Sequence, residues 1–228
     1  MNVIIRCGAL KATKDELFVR VKSQDGDVLS FRTYDELSNF CYPYSKNLSK
    51  GLTDTQKYAL IYFVSECFHQ KVLLFAEQLG YAHFLDDAEL HITNERRFLG
   101  FNGWYEGKRI IALDISLICY NPLVLTEVII HELTHFKEYN HKRVFYDLLE
   151  VNVGKCGLQK ELYGRKESRV ACFPTSIMKW YNEIDYETEK LIRTVFRFKK
   201  ERVRRPSCNV RRPSCKQLSF KFNSYDIS

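Results

Sequence analysis

The sequence predicts an α+β fold, and three stretches carry that prediction. Apolar periodicity from Tyr58 through Leu79, behind a Thr53/Gln56 capping box and ahead of Gly80, reads as one long core helix. Ala88 to Thr93 and Lys108 to Leu113 read as strands, with the aromatic and glycine-rich run Phe98 to Tyr105 between them. A second helix opens at Asn121-Pro122, where a residue without an N–H suits the first turn, and runs apolar from Leu123 to Ile130.

The other elements follow in order. A chain of 228 residues, 45% hydrophobic and 14% aromatic, supports one substantial core. Val3 to Ile5 and Leu17 to Val21 are short β-prone runs, and Asp25-Gly26 sits before Val28-Leu29-Ser30-Phe31 as a hairpin turn would. The expected organisation is a β-rich N-terminal extension over 1–50, a domain over 51–190, and a basic helix end with a tail over 191–228. His69, His83 and His91 stand alone on their segments, the pattern of packed or surface histidines. Val144 to Val151 should be helical up to the break at Gly154 to Gly157. A last helix is expected from Tyr181 to Val203, with its acids early and its bases late.

The apolar helix ends on His131-Glu132-Leu133-Thr134-His135. Residues four apart share a helix face, so His131 and His135 can offer two imidazoles to one metal while Glu132 projects beside it. A chance occurrence of this spacing is opposed by the cost of a charged Glu132 without a role at the end of a buried helix. Zinc takes four tetrahedral ligands, and a catalytic site leaves one place to water, so a third protein ligand is needed. His141 is the candidate. In an unbroken helix it would lie roughly 120° off the ligand face, so the helix must stop first, and Asn140 is suited to a left-handed stop. The expected site is Zn2+ on His131, His135 and His141 with Glu132 as general base, Asp147 and Glu150 being the fallback ligands. Tyr139, Tyr146 and Tyr105 are the candidates for stabilising an oxyanion.

These residues resemble the SprT-like zinc metalloproteases and the closely similar YgjP-type and WLM-type peptidases. HELTH, FKEYN, His141 and the following Val144 to Leu149 match the family pattern of two histidines, a spacer, a third histidine and an aromatic position. Gly103 to Asp114 looks like the hairpin that precedes the metal helix in those proteins. The resemblance covers about residues 95 to 150. It implies a zincin-like domain that hydrolyses peptide bonds of protein substrates, DNA-associated ones among them, with the strand beside the metal helix holding extended peptide by strand addition.

Charge is distributed unevenly. Residues 1–190 hold 24 basic against 26 acidic side chains, whereas 191–216 hold 10 against 1. Within that stretch Arg204-Arg205-Pro206-Ser207-Cys208 is echoed by Arg211-Arg212-Pro213-Ser214-Cys215. Arginines on a proline-broken arm suit phosphate backbones, so Arg204, Arg205, Arg211 and Arg212 are the candidate DNA contacts. Eight scattered cysteines with no CxxC pair point to reduced thiols and exclude a zinc ribbon. No signal segment is visible and no run approaches bilayer length, so a cytoplasmic protein is expected. Two other readings compete. A metzincin needs glycine where Glu138 stands and a methionine turn for which Met178 is the sole candidate. A non-catalytic DNA- or protein-binding zinc module leaves Glu132 without a use.

Overall fold

The computed structural model describes residues 1–41 apart from 25 and 27, then 51–94, 98–159, 162 and 193–198. β1 (Asn2–Cys7) and β2 (Leu10–Thr13) form a hairpin that turns at Gly8, whose φ of 67° is open to glycine at little cost. α1 (Lys14–Lys22) and α2 (Tyr34–Cys41) follow. α3 (Asp54–Leu79) begins at the Thr53/Gln56 capping box and stops at Gly80, which is left-handed at φ 73°. A 3-10 turn (Ala82–Leu85) leads to β3 (Ala88–Thr93). β4 (Gly100–Tyr105) and β5 (Lys108–Asp114) pair across Glu106-Gly107, both at positive φ, the geometry that matches strand twist in a two-residue hairpin. A second 3-10 turn (Ile115–Cys119) leads into α4 (Pro122–Thr134), and α5 (Arg143–Lys155) closes the described body.

The five strands form one mixed sheet in the order β2-β1-β3-β5-β4. β1, β3 and β5 run parallel in the centre, with β2 and β4 antiparallel at the two edges. One face is apolar: Val3, Ile5, Leu90, Ile92, Ile111 and Leu113 join the same core as Leu60, Phe68 and Val72 of α3 and Leu125 and Ile129 of α4. The alternate residues of β1, β3 and β5 point the other way, as the two-residue period of a strand requires. β4 closes the sheet beside α4 and, among the described residues, has β5 as its one strand neighbour.

Four expectations change. Leu17 to Val21 is helix, not strand: the Thr13 side chain accepts from Glu16 N and the Glu16 carboxylate from Thr13 N, a capping box of the kind that starts α3. The hairpin expected at Asp25-Gly26 is replaced by the one at Gly8, and residues 28–31 form no strand. β1 lies inside the sheet between β2 and β3, so residues 2–13 belong to the main body and not to an extension. α3 has 26 residues and is long and apolar enough to cross a membrane, contrary to the expectation that no run reaches that length; its Leu60, Ile61, Val64 and Phe68 are buried in the core.

The helix expected from Tyr181 to Val203 falls mostly outside the described residues. Where it is described, residues 193–195 are helical, and Phe198 instead bridges to Gly8 while its carbonyl accepts from Ala9 N at 2.9 Å. The chain leaves the helix because an edge of the β1–β2 hairpin takes its backbone groups, and because the Phe198 ring stacks on Tyr58 at 4.9 Å. Arg204, Arg205, Arg211, Arg212 and Met178 lie outside the described residues.

Candidate metal centre

α4 is set by its ends. The Asn121 side chain accepts from Leu123 N with Pro122 in the first turn, and the last helical residue is Thr134. Turn residues 135–137 then reverse the chain. The reversal differs from the one expected: it starts at His135, five residues before Asn140, and Asn140 is not left-handed. Hydrogen bonds from Phe136 N to Leu133 O and from Lys137 N to Thr134 O tighten the last turn in its place.

The early reversal returns His141 to the helix. One ring nitrogen each from His131, His135 and His141 lie within 4.8 Å of one another, and the Nε2 atoms of His131 and His141 are 2.9 Å apart. Such a separation between ring nitrogens calls for a shared proton or a shared cation. Burial and the two neighbouring histidines drive the His131 pKa down to about 3, and burial likewise lowers that of His135. Both are thereby held neutral, the form that ligates a metal. Since the Glu138 carbonyl accepts from His135 Nδ1 at 3.0 Å, Nε2 is left free as the donor. The carboxylate of Glu127, one turn earlier and buried, lies 4.0 Å from His131 Nδ1. Three imidazole nitrogens with carbonyl and carboxylate groups behind them fit a divalent metal of borderline softness.

Beneath the rings is Phe145, fully buried, with its centroid 4.5 to 4.8 Å from all three. It sits four residues past His141 on α5, so the helix after the third histidine supplies the floor. Asp147 pairs with Arg143, Glu150 accepts from Gln159, and neither joins the cluster, nor do His69, His83 or His91.

Glu132 is 5% exposed, and burial followed by the neighbouring Glu127 charge raises its pKa to about 8. It faces β4, where a Cβ on Gly100 would come within 2.5 Å of its Oε1. Glycine therefore makes room for the carboxylate. Two positions on, Asn102 donates to the Glu132 carbonyl at 2.6 Å, and Arg109 donates both to Asn102 Oδ1 at 2.7 Å and to the His135 carbonyl at 3.1 Å. These bonds tie down carbonyls that a helix end leaves without intrahelical donors. On the other side of α4 a buried chain runs from Tyr81 to Asn152 to Thr134. No local pattern marked Gly100, Asn102, Arg109 or Asn152, because each acts on a residue 18 to 71 positions away.

The three histidines and Glu132 open into a cleft of about 750 Å³ whose apolar wall includes Leu99, Phe101, Val128 and Tyr139. Of the tyrosines considered for an oxyanion, Tyr139 lines this cleft and Tyr146 lies beside His141. Tyr105 is removed from consideration: it projects from the opposite face of the sheet, where its hydroxyl accepts from Arg6.

Comparison with known families decides the class of the site. The model of the YgjP-like metallopeptidase domain matches residues 42–160, from before α3 to the end of α5. The chain belongs to the YgjP-like family. The match contains all three histidines and the whole cleft, so a metal cofactor and protein substrates come with membership. Neither the curated proteins nor the solved structures yield a match.

Proposed function

We propose that this YgjP-like protein is a zinc-dependent endopeptidase in which His131, His135 and His141 hold the metal and Glu132 is the general base. The observation that carries the proposal is the convergence of the three ring nitrogens within 4.8 Å of one another at the mouth of a cleft that also holds the buried Glu132. Zinc suits three nitrogen donors with one position left open, and when bound it supplies Lewis acidity towards a carbonyl oxygen and acidifies water. Glu132 takes the proton from the attacking water and delivers it to the leaving amine. A raised affinity for protons in the resting site suits that transfer. β4, the edge strand beside α4, supports a zincin-like arrangement in which extended peptide adds to the side that no described strand pairs, and the apolar cleft wall takes a side chain. A purely structural metal site is opposed by Glu132, whose burial costs free energy and which is not needed as a ligand.

The test is Glu132→Gln. The variant should keep about one zinc per chain, as the ligand number requires, while cleavage of an unfolded test protein falls by ~10² to 10⁴. Wild-type cleavage by the variant would remove Glu132 from the chemistry, and loss of zinc would make it structural.

A further inference from the structure

The sheet has a second furnished face. Opposite the helices, the alternate residues of β1, β2, β3 and β5 line a groove of about 1030 Å³ together with the segment 193–197. Its floor is formed by the buried His91, Thr93, Ile110 and Ala112. Its cations are Arg6, Lys11, Arg193 and Arg197, and among its described lining residues none is acidic. Arg193 is tied to Asp114 and Asn94. Among the described residues no carboxylate pairs with Arg6, Lys11 or Arg197, and the nearby Glu89 is already held by Lys108 and His91.

Rings accompany the charges. Phe98, Phe101 and Tyr105 stand along the groove, and the first two rings lie 5.7 Å apart. The Arg6 guanidinium sits 4.5 Å over the Tyr105 ring, and its Nε is buried with no hydrogen-bond partner among the described residues. A buried guanidinium N–H without an acceptor is costly and marks a place where an acceptor fits. Arginine forks match phosphate oxygens, and aromatic rings offer stacking faces to any base. An acidic peptide would use the cations and leave the rings idle. A duplex would keep its bases stacked away from them.

We propose that this outer groove binds single-stranded nucleic acid, its phosphates on Arg6, Lys11 and Arg197 and its bases against Phe98, Phe101 and Tyr105. Its described lining includes none of the three histidines nor Glu132, and the proposal stands whether or not the metal centre hydrolyses peptides. Phe101 borders both the groove and the metal cleft. A strand held in the groove therefore brings proteins bound to it within reach of the cleft.

The experiment measures binding of a fluorescein-labelled oligothymidylate of about 20 nucleotides to the full chain at two salt concentrations, a length that covers at least one typical single-strand site. Lys11 and Arg197 are exposed, so the double variant Lys11→Glu/Arg197→Glu should keep its fold, zinc content and basal peptidase activity. It should bind at least about tenfold more weakly, with a salt slope reduced by about 1.4, the share of two phosphate contacts. Tyr105→Leu should weaken binding while leaving the salt slope unchanged. Substitution of Arg204, Arg205, Arg211 and Arg212 by serine should retain the groove's contribution. The proposal is overturned by absence of binding to the wild type, by unchanged affinity in the double reversal, or by displacement of the oligonucleotide equally well by polyglutamate.

Discussion

The two faces of the sheet are built from alternate residues of the same strands and end with opposite chemistry. On β4, Gly100 and Asn102 serve the metal side, one by leaving space for Glu132 and the other by holding its carbonyl. Between and beyond them, Phe101 and Tyr105 serve the outer groove. The helix-covered face takes His131, His135 and Glu132 out of water, so burial lowers the pKa of the two histidines and raises that of the carboxylate. The outer face keeps Lys11 and Arg197 exposed to solvent, where charge costs little and long-range attraction to polyanions remains. One strand can supply both because a period of two turns successive side chains to opposite faces, and Phe101 alone of those named borders both cavities.

That contrast can be broken from either side. The largest expected effect is on the metal. The proposed ligands bind a metal only as neutral imidazoles, and burial holds His131 and His135 below the ordinary histidine value, so protons should displace the metal only once the pH falls below about 6.5. Zinc content measured across pH should stay constant from 8 to about 6.5 and be lost on acidification, whereas binding at the outer groove, carried by arginine and lysine, should persist. Next, Phe145→Ala removes the floor under three rings and should cost ~3 to 5 kcal/mol in denaturant unfolding and weaken zinc binding as well. Unchanged zinc affinity would reduce Phe145 to a core residue. Gly100→Ala forces a methyl group against Glu132 Oε1 and Val128, and a displacement of about 1 Å should lower hydrolysis roughly 10²-fold with zinc retained. The smallest effect is expected for Tyr105→Phe, which removes one acceptor for Arg6 and should change stability by ~1 kcal/mol with no change in peptidase rate. A fall in that rate would return Tyr105 to the catalytic side.

Much of the site was legible in residue spacing. His131 and His135 could be paired because i and i+4 meet on any helix, and His141 could be added because zinc needs a third donor. How His141 gets there was not legible: the left-handed Asn140 is absent, and three successive turn residues after Thr134 make the reversal. Capping boxes stand at both Thr53 and Thr13, and each starts a helix. At α1 the strand propensity of Val19 and Val21 conflicts with the Thr13/Glu16 capping box, and the local hydrogen bonds decide for helix.

By itself the sequence determined the long helix between Thr53 and Gly80, the start of the histidine-bearing helix at Asn121-Pro122, the strands β3 and β5, and the three histidines that come together. All of these rest on interactions within a few positions along the chain: caps, helical periodicity, strand alternation. Only the tertiary structure decided that β1 enters the centre of the sheet parallel to β3, with Val3 opposite Leu90. It also decided that Gly100 makes room for Glu132, that Phe145 carries the histidines, and that Arg6, Lys11 and Arg197 meet on one open face. Those are contacts between residues far apart in sequence, and their partners are chosen by which surfaces the completed fold brings together.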